Sequence, residues 1–269
     1  MKLRVLSASV LAPVAIALVV LGGLPFLAGI LAMCLVALWE MTGLLGTAAS
    51  SLLSGKAWRY LTLGAGGVLL ASVYYDHFRS GSAQVSAAAL LVASLAGLVF
   101  AGAPARRVVA WAAGAAAVLY ICGLGLHFIL LRETTRGLSW TLLACLITWS
   151  TDIGALFAGK YFGTHPFFPS ISPKKTIEGA IGGLLAGMVV AIPVVALGDL
   201  RVPMALTPVV GLSVSLAAQA GDLVESLAKR EAGVKDSGTI IPGHGGVLDR
   251  IDSLLFAVAV LYYWRILFP

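Results

Sequence analysis

The sequence predicts an all-α fold, a polytopic integral membrane helix bundle of about nine transmembrane helices with a cytoplasmic N-terminus. Three observations lead there. Of 269 residues, 59% are hydrophobic and only 11% are charged, with a mean hydropathy of +0.99. Soluble domains carry roughly 25% charged residues, so the 18 basic and 12 acidic side chains of this chain cannot coat a water-facing surface of its size. Apolar runs of spanning length recur along the chain, and the basic residues between them fall mainly on one side.

A helix needs about 20 mostly apolar residues to cross a bilayer. Runs of that kind lie at 3–22, 24–46, 58–76, 83–101, 107–131, 138–160, 177–197, 203–229 and 250–268. The first follows Lys2 and Arg4 as a signal peptide would, but no small-residue cleavage site leading into a soluble domain follows it, so it is expected to be retained. Gly22, Gly23 and Pro25 mark the turn into the second span. Glycines 179, 183 and 187 recur every fourth residue in the seventh, a pattern that suits close helix packing.

An N-terminus in the cytoplasm puts Lys2, Arg4, Lys56, Arg59, Arg106, Arg107, Lys160, Lys174, Lys175, Lys229, Arg230, Lys235 and Arg250 on that side. The other side receives Arg79, Arg132, Arg136 and Arg201, with Arg265 near the end of the last helix. This bias obeys the positive-inside rule and favours an odd number of spans. The +6 net charge is thereby read as orientation in the membrane and not as a nucleic-acid surface. The cell (inner) membrane is the expected location.

Residues 1–137 form an N-terminal region of about five spans and residues 138–269 a C-terminal region of about four. No stretch resembles a separate soluble domain, and no internal repeat is visible. The longest segments outside the spans, about 161–176 and 230–249, are short, rich in Gly, Pro and Ser, and expected in the cytoplasm. Cys34, Cys122 and Cys145 lie singly in apolar runs, which is neither a disulfide framework nor a zinc-ligand spacing.

Lys56, Arg59, Arg106, Arg107, Arg132, Glu133 and Arg136 are read as solvated, orienting charge. Other charges need more explanation. Asp152 lies inside an apolar span, where an aspartate on an isolated helix costs on the order of 3 kcal/mol. It should face a bundle interior or a watery cavity. Glu40 lies within reach of a helix end and can snorkel. Asp222, Glu225, Ser226 and Lys229 share one helical face by their spacing of three and four. Asp249 and Asp252 share another at a helix start, where the helix dipole favours negative charge.

The approach to that helix, Pro242-Gly-His244-Gly-Gly, lets backbone come close to a ligand, and free N–H groups at a helix start suit a phosphate. Carboxylates at two helix ends, with Lys229, Arg230, Lys235 and Arg250 between them, therefore suit magnesium and phosphates. Ser172-Pro-Lys174-Lys175-Thr-Ile-Glu178-Gly179 adds two lysines from the same side. Residues 222–252 hold 10 of the chain's 30 charges. A P-loop, a strand-linked Gly-x-Gly-x-x-Gly and a Gly-x-Ser-x-Gly elbow are all missing. The four histidines show no paired ligand spacing.

The segment 226–252, SLAKREAGVKDSGTIIPGHGGVLDRID, resembles the signature of the phosphatidate cytidylyltransferases, or CDP-diacylglycerol synthases. The likeness covers the serine, Lys-Arg, Lys-Asp, Pro-x-His-Gly-Gly and Asp-Arg-x-Asp in order and spacing. Ala228 departs from it where that family tends to have a bulkier apolar residue. The Ser-Pro-Lys-Lys-Thr-x-Glu-Gly segment and Asp152 also resemble that family, whereas the first five spans match only in hydropathy.

This resemblance implies an enzyme of phospholipid biosynthesis, a magnesium-dependent nucleotidyltransferase that converts CTP and phosphatidate to CDP-diacylglycerol and diphosphate. Under it, Asp222 and Asp249 bind magnesium, with room for a second metal ion, and Asp152, Glu225 and Asp252 support the metal or the lysines. Lys174, Lys175, Lys229, Arg230, Lys235 and Arg250 are expected to contact phosphates. Ser172, Ser226, Asp236, His244, Gly245 and Gly246 complete the expected substrate site. The lipid should enter sideways through a groove near this polar pocket. Membrane lipids are then partners, nucleic acid is not, and the oligomeric state stays open, a homodimer included.

Two other functions compete. Intramembrane carboxylates often mark ion paths in secondary transporters, but here the charges gather at one membrane face and not at the midplane. A CDP-alcohol phosphotransferase would need an Asp-Gly pair, and the chain has none.

Overall fold

A computed structural model of the chain describes residues 2–48, 56–76 and 105–269. Its helices are α1 (Lys2–Leu21), α2 (Gly23–Ala48), α3 (Lys56–Asp76), α4 (Ala105–Val118), α5 (Leu124–Arg132), α6 (Gly137–Phe162), α7 (Ile177–Leu197), α8 (Thr207–Glu231) and α9 (Leu248–Leu267). A π-helical turn, Leu119–Gly123, joins α4 to α5 within a single expected span. Apart from two isolated bridges, Pro166 with Thr176 and Ile241 with Gly245, the described residues contain no β-structure.

Eight of the expected spans coincide with helix, and the one at 83–101 lies outside the described residues. Among the described residues five helices are long and apolar enough to cross a membrane: Gly23–Gly46, Val108–Arg132, Gly137–Phe162, Ile177–Leu197 and Thr207–Glu231. They mark the chain as a membrane protein. The outward faces of α6 and α7 bear exposed Leu156, Phe157, Phe162, Leu185 and Val189, apolar side chains that suit contact with lipid. α9 is helical where a span is expected, but its first turns carry Asp249, Arg250 and Asp252 and make it more polar.

The chain breaks between α1 and α2 at Gly22 and Gly23, whose φ of 64° and 51° lie in the left-handed region that favours glycine. Arg132, at the end of α5, closes that break. Its Nε donates to Val19 O at 2.8 Å and its NH2 to Val20 O at 3.2 Å, satisfying carbonyls that the end of α1 leaves free. Arg132 is therefore a helix cap as well as an orienting charge. Arg59 of α3 is tied to the middle of α2, donating to Trp39 O at 2.8 Å with its guanidinium 3.4 Å from the Trp39 ring centroid.

α6 and α7 form the most extensive helix pair, because small residues let their backbones approach. Gly179, Gly183 and Gly187 are all buried, as their spacing predicts. Thr151 on α6 donates to Ser215 on α8 at 2.8 Å and fixes the third helix against the pair. α7 begins at Thr176, whose Oγ1 accepts from Gly179 N at 3.1 Å. The apolar core runs between α2, the π-turn, α6, α8 and α9, with Leu38, Ile121, Leu143, Val214 and Leu255 fully buried. Cys34 and Cys122 are buried in it as free thiols. This packing sets the end of α8, the start of α9 and the lysine loop before α7 side by side.

Candidate active site

Two salt links define the place where these elements meet. Lys175 Nζ, in the loop before α7, lies 2.7 Å from Asp222 Oδ2 on α8. Lys229 Nζ, in the last turn of α8, lies 2.6 Å from Asp249 Oδ1 at the start of α9 and also pairs with Glu225 one turn back. The first link is partly open, with side chains 27% and 35% exposed. The second is deep: Lys229 is 12% exposed, Asp249 5% and Glu225 fully buried. The shared face that spacing predicts on α8 is therefore real, but it is divided between two lysines.

Asp249 is held on every side. Its Oδ2 accepts from Ser237 N at 2.9 Å, Ser237 Oγ at 2.9 Å and Gly246 N at 2.8 Å, while Oδ1 faces Lys229. Gly245 makes this possible, since its φ of 82° turns the loop and a Cβ there would lie 2.7 Å from Asp249 Oδ2. Asp252, one turn further, is buried and accepts from Ser253 N at 2.7 Å. It feels the charges of Asp222 on α8 and Asp152 on α6. Ser226 completes the α8 face by donating to Asp222 Oδ1 at 3.3 Å.

Two cavities flank these links. One, of about 530 Å³, is walled by the signature loop and includes Lys235, Asp236, Thr239, His244, Gly245 and Arg250. The other, of about 480 Å³, lies between α6, α7 and α8 and includes Asp152, Lys160, Lys174, Lys175, Gln219 and Asp222, with Leu156 and Phe167 as an apolar wall. Both volumes fall in the range of small-molecule sites, about 300–1,000 Å³. Arg250 lines the first cavity, and its positive charge reaches Asp152 in the second. Cationic cavities beside carboxylates are equipped to hold phosphate groups and to offset their charge.

Some expected residues stand elsewhere. Arg230 lines neither cavity; its Nε donates to Ile171 O at 3.0 Å and its NH1 to Val234 O at 3.2 Å, which uses the guanidinium to tie two loops together. Ser172 meets Lys175 N through its backbone carbonyl at 3.1 Å. Gly246 donates its N–H to Asp249, and the His244 ring sits 2.6 Å from Ser7 Oγ of α1. Three participants escape a motif reading: Ser237, Gln219 and Glu40. Gln219 lines the second cavity while donating to Ala180 O at 3.0 Å. Glu40 is buried against the signature loop rather than snorkelling. Its only signal in the sequence is the one Asp152 also gives, a lone carboxylate within an apolar run.

Among the described residues no three His, Cys, Asp or Glu side chains converge as a ready-made metal cluster. Magnesium is commonly held by one or two carboxylates together with substrate phosphate oxygens, so a site for it needs no such cluster. Asp222 fits as a ligand, because it is partly open and lies beside Asp152 on the cavity wall. Asp249 fits only through Oδ1, and only when Lys229, 2.6 Å away, moves off that oxygen, since Oδ2 already accepts three hydrogen bonds.

The chain is similar to proteins of known name. It is 45% identical over 154 residues to the phosphatidate cytidylyltransferase of Bacillus subtilis (strain 168), a match covering 56% of this chain and 57% of that protein. It is 46% identical over 145 residues to the phosphatidate cytidylyltransferase of Staphylococcus aureus (strain COL), covering 54% and 56%. With the protein of that name from Staphylococcus saprophyticus the identity is 43% over 145 residues, with the same coverage of 54% and 56%. The chain thus spans a little over half the length of the curated relatives it matches. The sequence model of the cytidylyltransferase family matches residues 2–268, nearly every position, and the chain belongs to that family.

Proposed function

We propose that the chain is a phosphatidate cytidylyltransferase, joining CTP and phosphatidate to give CDP-diacylglycerol and diphosphate. The observation that carries this reading is the pair of cationic cavities beside the two lysine–carboxylate links, one walled by the signature loop and one with an apolar wall. The signature-loop cavity suits the nucleotide. The second suits the lipid phosphate, with Lys174 and Lys175 on the headgroup and the acyl chains passing over the exposed Leu156 and Phe157 of α6 into the bilayer.

A phosphate oxygen of phosphatidate attacks the α-phosphorus of CTP. That P–O bond forms as the bond from the α-phosphorus to the oxygen bridging to the β-phosphate breaks, and diphosphate leaves. The nucleophile is already an anion, so no strong base is needed. The obstacle is repulsion between it and the triphosphate, which Lys175, Lys229, Lys235 and Arg250 offset by position and charge. Magnesium, on Asp222 and Asp249 Oδ1 with Asp152 and Asp252 in support, would supply further charge neutralisation at the phosphates. Glu225 would hold Lys229 in place.

We further infer nine spans, a cytoplasmic N-terminus and a site opening to the cytoplasm at the cell membrane. The lysine and arginine distribution supports this orientation. The test of function is to incubate the purified full chain with labelled CTP, phosphatidate and magnesium. Label should appear in CDP-lipid in step with diphosphate release. A folded preparation that transfers no label to lipid would refute the reading.

A further inference from the structure

We propose that Glu40, on α2 of the N-terminal region, is a positioning residue of the site: its carboxylate holds the signature loop closed on Asp249, which makes α2 part of the transferase machinery. This rests on the reaction proposed above.

The geometry is specific. Glu40 is 5% exposed, on a helix whose adjoining turn buries Ala37, Leu38 and Met41. Its Oε1 accepts from Val247 N at 3.0 Å, and its Oε2 accepts from Leu248 N at 2.9 Å and from Ser237 Oγ at 3.0 Å. Val247 and Leu248 open α9, and α9 has no side-chain cap of its own. The capping that a helix ordinarily takes from the residue beside it is here supplied by a different helix, some 200 residues earlier in the chain (|i−j| of 207 and 208).

Ser237 passes this restraint on. Its hydroxyl lies 3.0 Å from Glu40 Oε2 and 2.9 Å from Asp249 Oδ2, so its single proton is shared between the two carboxylates. Asp249 in turn sets Lys229. The path from Glu40 to the lysine thus runs through one serine and one aspartate. Two loop glycines fit the same device: a Cβ at Gly238 would come within 2.5 Å of Glu40 Oε1, and one at Gly246 would overlap Oε2. They give the carboxylate room as well as shaping a phosphate loop. An isosteric amide cannot replace it, because its NH₂ would face a backbone N–H or the serine hydroxyl.

The experiment compares the full chain with Glu40→Gln in micelles, by hydrogen exchange and by steady-state kinetics. Exchange over 236–250 should become about ten-fold faster, while α6 and α7 exchange as before. The KM for CTP should rise, and kcat/KM should fall by about 10- to 100-fold. Unchanged exchange in 236–250, or equal acceleration across α6 and α7, would overturn the assignment. So would an unchanged KM with activity lost only in proportion to the folded fraction. If Glu40→Gln does not fold, Ser237→Ala removes one link and is judged by the same readouts. An inactive wild-type chain would refute the proposed reaction, and the exchange measurement would still decide whether Glu40 closes the loop.

Discussion

Lys229 Nζ stands 2.6 Å from Asp249 Oδ1 and joins the last turn of α8 to the first turn of α9, with the fully buried Glu225 as its second anionic partner. Lys229→Met would leave the buried Glu225, and Asp249 Oδ1, without their cation. Removing one partner of a buried pair costs about 3–5 kcal/mol, so the thermal midpoint should fall sharply along with turnover. Lys229→Met combined with Glu225→Gln should recover much of the midpoint and none of the turnover. Recovered turnover in the double variant would show that the ammonium serves folding alone.

The Lys175–Asp222 link behaves differently because both side chains are about a third exposed. An open pair is worth about 0–1 kcal/mol. Lys175→Ala should therefore leave the thermal midpoint within a few degrees of wild type, yet reduce kcat/KM for phosphatidate by about 100-fold or more, the scale of losing one charge-stabilising donor. Steady-state kinetics beside a melting curve would separate the two effects. A large loss of stability with normal kinetics would contradict the placement of Lys175 on the lipid phosphate.

In the proposed reaction Asp222 would share the magnesium ion with substrate, being partly open on the cavity wall that Asp152 also lines. Chelation should abolish turnover and added magnesium restore it. Asp222→Asn should raise the magnesium concentration for half-maximal rate by more than about ten-fold, with insertion and folding preserved. The same substitution at Asp252, which is buried and bonded to Ser253 N, should shift that concentration less. Equal magnesium dependence in wild type and Asp222→Asn would remove Asp222 from the ligand set.

Much of this was legible in the chain, for physical reasons that also mark where legibility ends. Spans follow from hydropathy because the hydrocarbon layer fixes a length, and α7 at Ile177–Leu197 matches its expected limits. The π-turn at Leu119–Gly123 has the same apolar composition as its flanks, so nothing in the residues announces it. The carboxylates of the site were visible because charge is rare in lipid. What each one touches was not, since Glu40 and Ser237 lie 197 positions apart and meet only through packing. Arg230 illustrates the converse: a guanidinium next to Lys229 suggests a phosphate, yet its hydrogen bonds go to loop carbonyls. The two cavities likewise depend on how helices converge, which no local pattern encodes.

The α6–α7 contact gives a prediction that does not depend on the reaction. A Cβ at Gly183 would lie 2.8 Å from Thr151 O and 3.2 Å from Ala155 Cβ. The first of these is backbone, and it belongs to the helix that carries Asp152 one residue on, so it cannot swing aside like a flexible side-chain end. Gly183→Val should force α6 and α7 apart at a cost of about 1–3 kcal/mol. Because α6 and α7 both wall the cavity that Asp152 shares with Asp222 of α8, turnover should fall even in protein that remains folded. Gly64, where a Cβ would meet nothing within 4 Å, supplies the control: Gly64→Ala should leave both midpoint and turnover unchanged. If Gly183→Val unfolds at the wild-type temperature, the two helices are not in the backbone contact that brings Asp152 to the site.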